Sequence, residues 1–472
     1  MTTITPEPWQ LDATETAARI RTGQLTSREV VESTLARLHA VNPQLNAVVR
    51  TMDEEALATA DVADAAVAWG EPLGPLHGVP VTTKINTDQR GHVTDNGCLA
   101  FKDNVVAGDA SVVANLRRAG AVFIGRTNAP AFSMRWFTDN ALHGLTTNPW
   151  DIGTTAGGSS GGAGAAVAAG IGAIAQGNDI GGSVRYPAYV NGIVGLRPSM
   201  GRIPSYSASL PPGRPLGSVL MATQGPLTRT VRDCRLALAV MSGRDTRDSR
   251  WVDAPLTGPP LPRPIRVAMV AEPGGEPVHP AVSEAVRTAG RYLAAAGYSV
   301  EEVAPPDLER AGQLWNEIAV PDVFASLKPR MEEFGDEGGK TSLGHWMSMF
   351  DAANAPSLAA AHFERDALIT RWCVFFEDFP IVIMPSSGEP PLPQHLDIQG
   401  VEGTRRAYTA NRFQLAIALL GLPGLSVPVG MHGNLPMGVQ LVGPRFRDDI
   451  LLDAGEIIEA HEGVRAPIDP VR

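Results

Sequence analysis

Two glycine–serine clusters have the residue types and spacing for nucleophilic chemistry. The run TAGGSSGGA, residues 155–163, places Ser159 and Ser160 between pairs of glycines, and GNDIGGSVRYPA, residues 177–188, places Ser183 after two more. Consecutive glycine amides can form a nest of N–H donors for a developing oxyanion, so a serine beside them is a candidate nucleophile. The 24-residue step from Ser159 to Ser183 leaves room for one buried helix and a return. The two clusters can therefore face each other.

Two other functions of the first cluster fit its surroundings less well. A Gly/Ser linker is flanked by polar sequence, whereas the following AGAAVAAGIGAIAQ is apolar. A phosphate-binding loop needs GxxxxGK[ST] or GxGxxG directly after a strand, and neither pattern is present. The run GAGAAVAAGIGAIAQG is short and rich in Gly and Ala, which predicts a buried helix rather than a membrane span.

A serine nucleophile needs a base, and the sequence offers histidine or lysine. The GxSxG motif is absent at Ser183, and none of the ten histidines lies in a convincing motif. Lys84 ends the apolar run GVPVTTK, where a lysine is unusual because lysine is rarely buried without a partner. Burial there would lower its pKa from the usual value of about 10.4 towards neutrality, as a lysine base requires. For Lys84 taken alone, a side chain that reaches solvent from a strand end is an equal alternative.

The order of these motifs resembles that of the amidase signature family of serine hydrolases. The resemblance extends from about residue 70 to 460, and the number of motifs in the family's order makes it specific. The matching runs are GPLHGVPVTTK, GRTNAPAFSMRWFTDNALHGLTTNPWD, TTAGGSSGGAGAAVA, GNDIGGSVRYPAYVNGIVGLRPSMGRIP, TQGPLTRTVRDC, GLPGLSVPVG and LPMGVQLVGPRFRDDILLDAGEIIE.

The resemblance implies a Ser–Ser–Lys triad. It places the nucleophile on Ser183, the base on Lys84 and the proton relay on Ser159, whose peptide bond from Gly158 is expected to be cis. The resemblance also implies oxyanion donors and supporting side chains: the donors are the backbone amides of Ile180, Gly181, Gly182 and Ser183, and the supports are Ser160, Asp179 and Arg185. For Asp179 and Arg185 a plain buried ion pair is the alternative.

These roles imply hydrolysis of a C–N bond through an acyl-enzyme on Ser183, with no metal or other cofactor. Three departures from the family pattern leave the triad intact and affect the choice of substrate. They are KINTDQ at the lysine, TDNG at 94–97 and Asn178 where Thr is common. They resemble bacterial aryl amidases and urethanases. The expected substrates are small aryl or alkyl amides, anilides, carbamates and esters.

Two other classes of function remain open at this stage. The glutamine-hydrolysing A subunit of a tRNA-dependent amidotransferase shares these motifs, and its activity would be accompanied by partner subunits. A binding protein of the same fold without activity is disfavoured because all three triad positions are filled.

Composition restricts the partners. The 472-residue chain has a net charge of −11, which argues against nucleic acid or an anionic membrane because both require clustered Lys and Arg. Its three cysteines are far apart and its N-terminus lacks the features of a secretory signal, so a cytoplasmic protein is expected. The expected partner is a small-molecule amide or carbamate, and the oligomeric state is open, a homodimer included.

Short apolar strands alternating with amphipathic helices predict an α/β fold that positions these groups. The resemblance implies the amidase signature fold, a large twisted mixed β-sheet covered on both faces by helices, with a helical and loop lid region. We expect one domain over residues 1–472, with a helical segment over 1–65, a catalytic core over about 66–250 and a helical insertion over about 300–365 that lines the substrate pocket. Residues 204–218 and 344–356 are the candidates for an apolar pocket wall. For Trp346, Met347, Met349 and Phe350, a place in the hydrophobic core is the alternative.

Overall fold

A mixed sheet of eleven strands organises the part of the chain that the computed structural model describes, residues 6–209, 213–350 and 355–471. The strands follow the order β1-β3-β2-β4-β6-β5-β10-β11-β9-β7-β8 across the sheet. Pairs β2–β3, β2–β4, β7–β8 and β7–β9 are parallel and the others are antiparallel. The strands are β1 Val48–Thr51, β2 Pro80–Lys84, β3 Val122–Thr127, β4 Ile174–Asp179, β5 Val194–Arg197, β6 Thr223–Thr228, β7 Arg266–Met269, β8 Ser299–Glu302, β9 Ile381–Pro385, β10 Gly424–His432 and β11 Leu435–Val442.

Helices cover both faces of this sheet, since every residue of β2, β3, β5 and β9 is buried. The predicted α/β fold with a large mixed sheet is therefore confirmed. Among the described residues, no helix combines the length and the apolarity that a bilayer span requires. The helices are α1 Ala13–Arg21, α2 Ser27–Leu45, α3 Asp53–Ala68, α4 Ser111–Arg118, α5 Gly161–Ala168, α6 Arg185–Asn191, α7 Leu216–Met221, α8 Val231–Met241, α9 Pro280–Ala295, α10 Leu308–Ile318, α11 Ala325–Phe334, α12 Glu337–Ser348, α13 Ala355–Asp378, α14 Val401–Leu420 and α15 Asp448–Glu462, with a π-helical turn at Ala319–Phe324 and 3₁₀ turns at Pro8–Gln10, Leu99–Phe101, Ala131–Ser133 and Leu396–Ile398.

Two features shape the N-terminal segment. Helix α2 begins at a capping box of Thr26 and Glu29, continues past Pro43 and ends at Leu45, where Asn46 adopts a left-handed conformation. Pro43 stands in the last turn, where its missing N–H removes only one hydrogen bond of the helix. The segment over 1–65 is also not wholly helical, because β1 lies within it and pairs with β3.

The apolar run over 162–177 forms two elements rather than one buried helix. Helix α5 ends at Ala168, and the last residues of the run begin β4. Gly170 and Gly172, with φ of 83° and 76°, turn the chain between the two, a conformation that L side chains rarely adopt. The short helix and the returning strand together span the distance between the two glycine–serine clusters.

The sheet brings the predicted site residues to one edge. Strands β2 and β4 are parallel neighbours, so their carboxyl ends, Lys84 and Asp179, lie on the same side of the sheet. Ser183 lies in the turn between β4 and α6, and Ser159 lies in the loop that enters α5. A crevice outside the carboxyl ends of parallel strands is the usual place for a ligand in an α/β fold.

Candidate active site

Lys84 is fully buried at the end of β2. Its Nζ donates to Ser159 Oγ at 2.7 Å and to Asn178 Oδ1 at 2.9 Å. Burial lowers the pKa of Lys84 well below its usual value, and the carboxylate of Asp179 opposes this shift only in part. An amine with a lowered pKa can be neutral near pH 7 and accept a proton.

Ser159 follows a cis peptide bond from Gly158, as the resemblance implies. The glycine is required by space as well, because a Cβ at Gly158 would lie 2.5 Å from Arg135 O and 2.6 Å from Trp136 C. Both of these neighbours are backbone atoms, which cannot rotate away as a side chain could. Gly158 therefore allows the loop to pack against the 135–137 backbone, with the Ser159 hydroxyl beside Lys84 Nζ.

Ser183 and Ser159 line the same cavity. Lys84 Nζ donates to the Ser159 hydroxyl. Among the described residues, no hydrogen bond joins the hydroxyl of Ser159 to that of Ser183. Such bonds are often long in a site without substrate and tighten when substrate binds. Ser160 supports the arrangement, because its N–H donates to Ser183 O at 3.2 Å.

The four predicted oxyanion donors do not have equal hydrogen bonding. The amide of Gly182 donates to Asp179 Oδ1 at 2.9 Å. The amides of Ile180, Gly181 and Ser183 have no hydrogen-bond partner among the described residues. Three of the four donors are thus free in this conformation, and Gly182 instead fastens the loop to the end of β4.

Asp179 is the central support of this loop. Its carboxylate accepts from Arg185 Nε at 3.1 Å and Nη2 at 3.0 Å, and from Val184 N at 3.1 Å. Arg197 Nη1 also lies 3.3 Å from Asp179 Oδ1, and all three charged groups are buried. Burial raises the pKa of Asp179, but the two guanidinium groups and the N–H donors outweigh it, so the net pKa lies well below the usual range.

Arg197 was not among the predicted site residues, although it lies in one of the quoted runs. Strands β4 and β5 both pair antiparallel with β6, so Arg197 at the end of β5 lies on the same edge as Asp179 at the end of β4. Only the strand order makes this relation visible, because β6 follows both strands in the sequence.

A second chain of hydrogen bonds leads from Lys84 to the cavity wall. Asn178 Nδ2 donates to Asn86 Oδ1 at 3.0 Å, and Asn86 Nδ2 donates to Ser133 Oγ at 2.8 Å. Ser133 has a left-handed backbone with φ of 58°. The sequence marked Asn178 and the run after Lys84 only as departures from the family pattern, and the structure shows that these departures contact each other.

A cavity of about 430 Å³ opens above these groups. This volume falls in the range of small-molecule sites. Aromatic and aliphatic side chains form one part of its lining, and polar groups that include Ser159, Ser183, Asn178 and three arginines form the rest. The bulky apolar members of the lining include Phe132, Trp136, Trp315, Phe324, Leu327 and Trp346.

The predicted pocket segments contribute unequally. The described part of the 204–218 loop supplies Ser205, Arg214 and several neighbours, while residues 210–212 lie outside the described residues. Of the four side chains named in 344–356, only Trp346 lines the cavity; Met347, Met349 and Phe350 pack against the hydrophobic core, and residues 351–354 lie outside the described residues. The other aromatic residues of the wall come from α10, the π-helical turn and the 131–136 segment.

The chain is similar in sequence and in fold to several known proteins. The Amidase family model matches residues 29–452. An indoleacetamide hydrolase of Bradyrhizobium diazoefficiens is 48% identical over 467 residues, which cover 97% of this chain and 88% of the relative. A glutamyl-tRNA(Gln) amidotransferase component from Chromohalobacter salexigens is 32% identical, over 93% of this chain and 94% of the relative. The solved structure of a bacterial aryl acylamidase of the amidase signature family is 27% identical, with a TM-score of 0.81 and 96% of each chain covered.

Proposed function

The chain belongs to the amidase signature family and hydrolyses amides, and from this we propose that its substrate is a small amide with an aromatic acyl group, of which indoleacetamide is the model. The relative with 48% identity bears the name indoleacetamide hydrolase. The aromatic wall of the cavity supports the same substrate class, because flat rings pack well against indole and phenyl faces.

We assign the catalytic roles to Lys84, Ser159 and Ser183. Neutral Lys84 takes a proton from Ser159, which takes one from Ser183 as the Ser183 oxygen attacks the amide carbonyl. The proton returns through Ser159 to the leaving amine, and water then releases the carboxylic acid from Ser183. The distance of 2.7 Å between Lys84 Nζ and Ser159 Oγ is short enough for a proton to pass between the two groups.

The negative charge that develops on the carbonyl oxygen needs donors that are already in place. The free amides of Ile180, Gly181 and Ser183 are suited to this role because no other group of the described residues occupies them. Asp179 would then act on the loop and not on the substrate, since its carboxylate is bonded to Gly182, Val184 and Arg185.

The single observation that carries the proposal is the buried Lys84–Ser159 hydrogen bond beside a cavity that Ser159, Ser183 and several aromatic side chains line. A structural lysine would be expected to reach solvent or to pair with a carboxylate. Lys84 instead donates to a hydroxyl and an amide oxygen.

The test is a substrate panel with matched variants. Wild type, Ser183→Ala and Ser242→Ala are assayed with indoleacetamide, phenylacetamide, an aryl anilide, a phenyl carbamate and glutamine. Ser242 is a suitable control because its hydroxyl donates to Leu238 O in helix α8, outside the cavity. We expect turnover of the aryl acetamides by wild type and Ser242→Ala, no turnover by Ser183→Ala, and an acyl adduct on Ser183 by mass spectrometry. Equal turnover by Ser183→Ala would overturn the proposal.

The amidotransferase alternative is the weaker one. The amidotransferase relative is 32% identical against 48% for the indoleacetamide hydrolase. Glutamine as the best substrate of the panel would favour this alternative.

Three finer predictions from the sequence stay predictions. Activity on carbamates and esters is measured by the same panel. A homodimer is tested by size-exclusion chromatography with light scattering. A cytoplasmic location is consistent with Cys98, Cys234 and Cys373 being free thiols, and cell fractionation tests it.

A further inference from the structure

Two indole N–H groups hold the loop that carries the free amides. Trp315 Nε1 donates to Ile180 O at 2.9 Å, and Trp136 Nε1 donates to Gly181 O at 2.9 Å. Both indoles are almost completely buried, and both line the cavity. The two contacts are therefore part of the cavity wall and of the loop at the same time.

Because of the geometry of the peptide unit, a hydrogen bond to its oxygen also fixes the direction in which its N–H points. In a trans peptide the C=O and N–H groups of one unit point in opposite directions. The peptide unit that contains Ile180 O also contains the N–H of Gly181. A hydrogen bond to Ile180 O on one side of the unit therefore fixes the direction of the Gly181 N–H on the other side. The next unit joins Gly181 O to the N–H of Gly182, which donates to Asp179 Oδ1.

The same contact also strengthens the donor. A carbonyl that accepts a hydrogen bond polarises its peptide unit, so the N–H of that unit becomes a better donor. Gly181 N–H is one of the amides without a partner among the described residues, whereas Gly182 N–H is already occupied. The two tryptophans therefore have different consequences: Trp315 acts on a free donor and Trp136 on an occupied one.

We infer that Trp315 is a positioning residue for the oxyanion hole, which its indole N–H organises by orienting the Gly181 amide. This inference rests on the proposed function, because it requires an oxyanion on a substrate attached to Ser183. Trp136 secures the neighbouring peptide unit. The indole rings contribute separately to the cavity wall, so loss of the N–H and loss of the ring are distinguishable.

The surrounding packing leaves the loop little freedom to find another position. A Cβ at Gly181 would lie 2.8 Å from Leu415 Cδ2 and 3.2 Å from Trp315. The indole of Trp315 in turn packs 6.2 Å from that of Trp346, which lies 4.8 Å from Trp136 between ring centroids. Helix α10, which carries Trp315, is thereby coupled to the turn after β4 although the two are 135 residues apart in sequence.

The test compares Trp315→Phe with Trp136→Phe and with Trp150→Phe. Phenylalanine keeps an aromatic ring and removes the N–H. Trp150 is the matched control because its Nε1 also donates to a backbone oxygen, Asn191 O at 2.8 Å, but it does not line the cavity. All three variants lose one indole-to-carbonyl hydrogen bond, so urea unfolding measures the loss of stability that they share.

We expect Trp315→Phe to lower kcat by about 5- to 30-fold, less than the 10²–10³-fold that removal of an oxyanion donor causes. KM for phenylacetamide should change by no more than about twofold, since the ring remains. Trp136→Phe should lower kcat less than Trp315→Phe, and Trp150→Phe should leave kcat unchanged.

Two ligands separate positioning of the amide from packing of the ring. Benzylboronic acid forms a tetrahedral adduct on a catalytic serine and places an oxygen where the oxyanion would lie, whereas indole only fills an aromatic cavity. For Trp315→Phe the affinity for the boronic acid should fall by the same factor as kcat/KM, with the affinity for indole kept. Equal loss for both ligands, or unchanged affinity for the boronic acid, would overturn the inference. Wild type that forms no boronate adduct dependent on Ser183 would instead refute the proposed function, and the inference with it.

Discussion

Replacement of Asp179 by asparagine separates the structural and the catalytic effects of one buried carboxylate. Asp179 is buried between Arg185 and Arg197 and also accepts the N–H of Gly182 and Val184. Asparagine keeps one acceptor oxygen and removes the negative charge. Two buried guanidinium groups then lose their shared counter-charge.

The expected loss of stability is about 3–5 kcal/mol, the usual effect of removing one partner of a buried ion pair. The upper part of this range applies, because two arginines and not one are left uncompensated. Since total stabilities are about 5–15 kcal/mol, the variant should still fold and can be assayed. Urea unfolding at pH 7 measures this loss.

Asp448→Asn is the matched control. Asp448 is also buried, pairs with buried Arg202 at 3.2 Å and accepts the N–H of Ser199 at 2.8 Å. It lies at the start of α15 and does not line the cavity. We expect a similar or slightly smaller loss of stability for Asp448→Asn, with kcat unchanged.

The pH profile gives the sharper test. The carboxylate of Asp179 raises the pKa of Lys84 against the larger lowering by burial. Removing that charge should lower the pKa of Lys84 further, so the acid limb of kcat/KM should move to lower pH in Asp179→Asn while kcat falls. Asp448→Asn should leave the limb in place. An acid limb that does not move, or that moves to higher pH, in Asp179→Asn would refute the electrostatic reasoning.

Three further variants test the rest of the site. Lys84→Met should abolish activity. Burial lowers the pKa of Lys84, so at a pH between its folded and unfolded pKa the unfolded chain binds one proton more than the folded protein. The free energy of unfolding of wild type, relative to that of Lys84→Met, should therefore rise with pH up to the usual lysine pKa, as urea unfolding at pH 7 and pH 10 would show. Asn178→Leu should lower kcat by about tenfold or more, because it removes an acceptor of Lys84 Nζ. Asn178→Thr keeps an oxygen and should lower kcat less. Equal kcat values for the two variants would contradict this role of the Asn178 oxygen. Gly158→Ala should lower the free energy of unfolding by about 1–3 kcal/mol or more, because the new Cβ would meet the 135–137 backbone. An unchanged thermal midpoint would show that the loop can move aside.

The sequence alone determined much of the framework. Short apolar runs alternating with amphipathic segments predicted the α/β framework, because local patterns of this kind depend on residues that are close in the chain. The motifs also singled out Lys84, Ser159 and Ser183, which the structure brings to one edge of the sheet, although their catalytic roles stay proposals. One exception was local too: Gly170 and Gly172 divide the 162–177 run, which the sequence predicted to form a buried helix.

Only the tertiary structure decided which groups serve these residues. The bond from Trp315 to Ile180 joins positions 135 residues apart, and that from Asn178 to Asn86 joins positions 92 apart. The tertiary structure also shows that Gly182 N–H donates to Asp179. The glycine–serine run by itself does not indicate which of its amides are free. Hydrogen bonds of this kind depend on strand order and on the direction of each peptide unit, and neither leaves a periodic signal in the sequence.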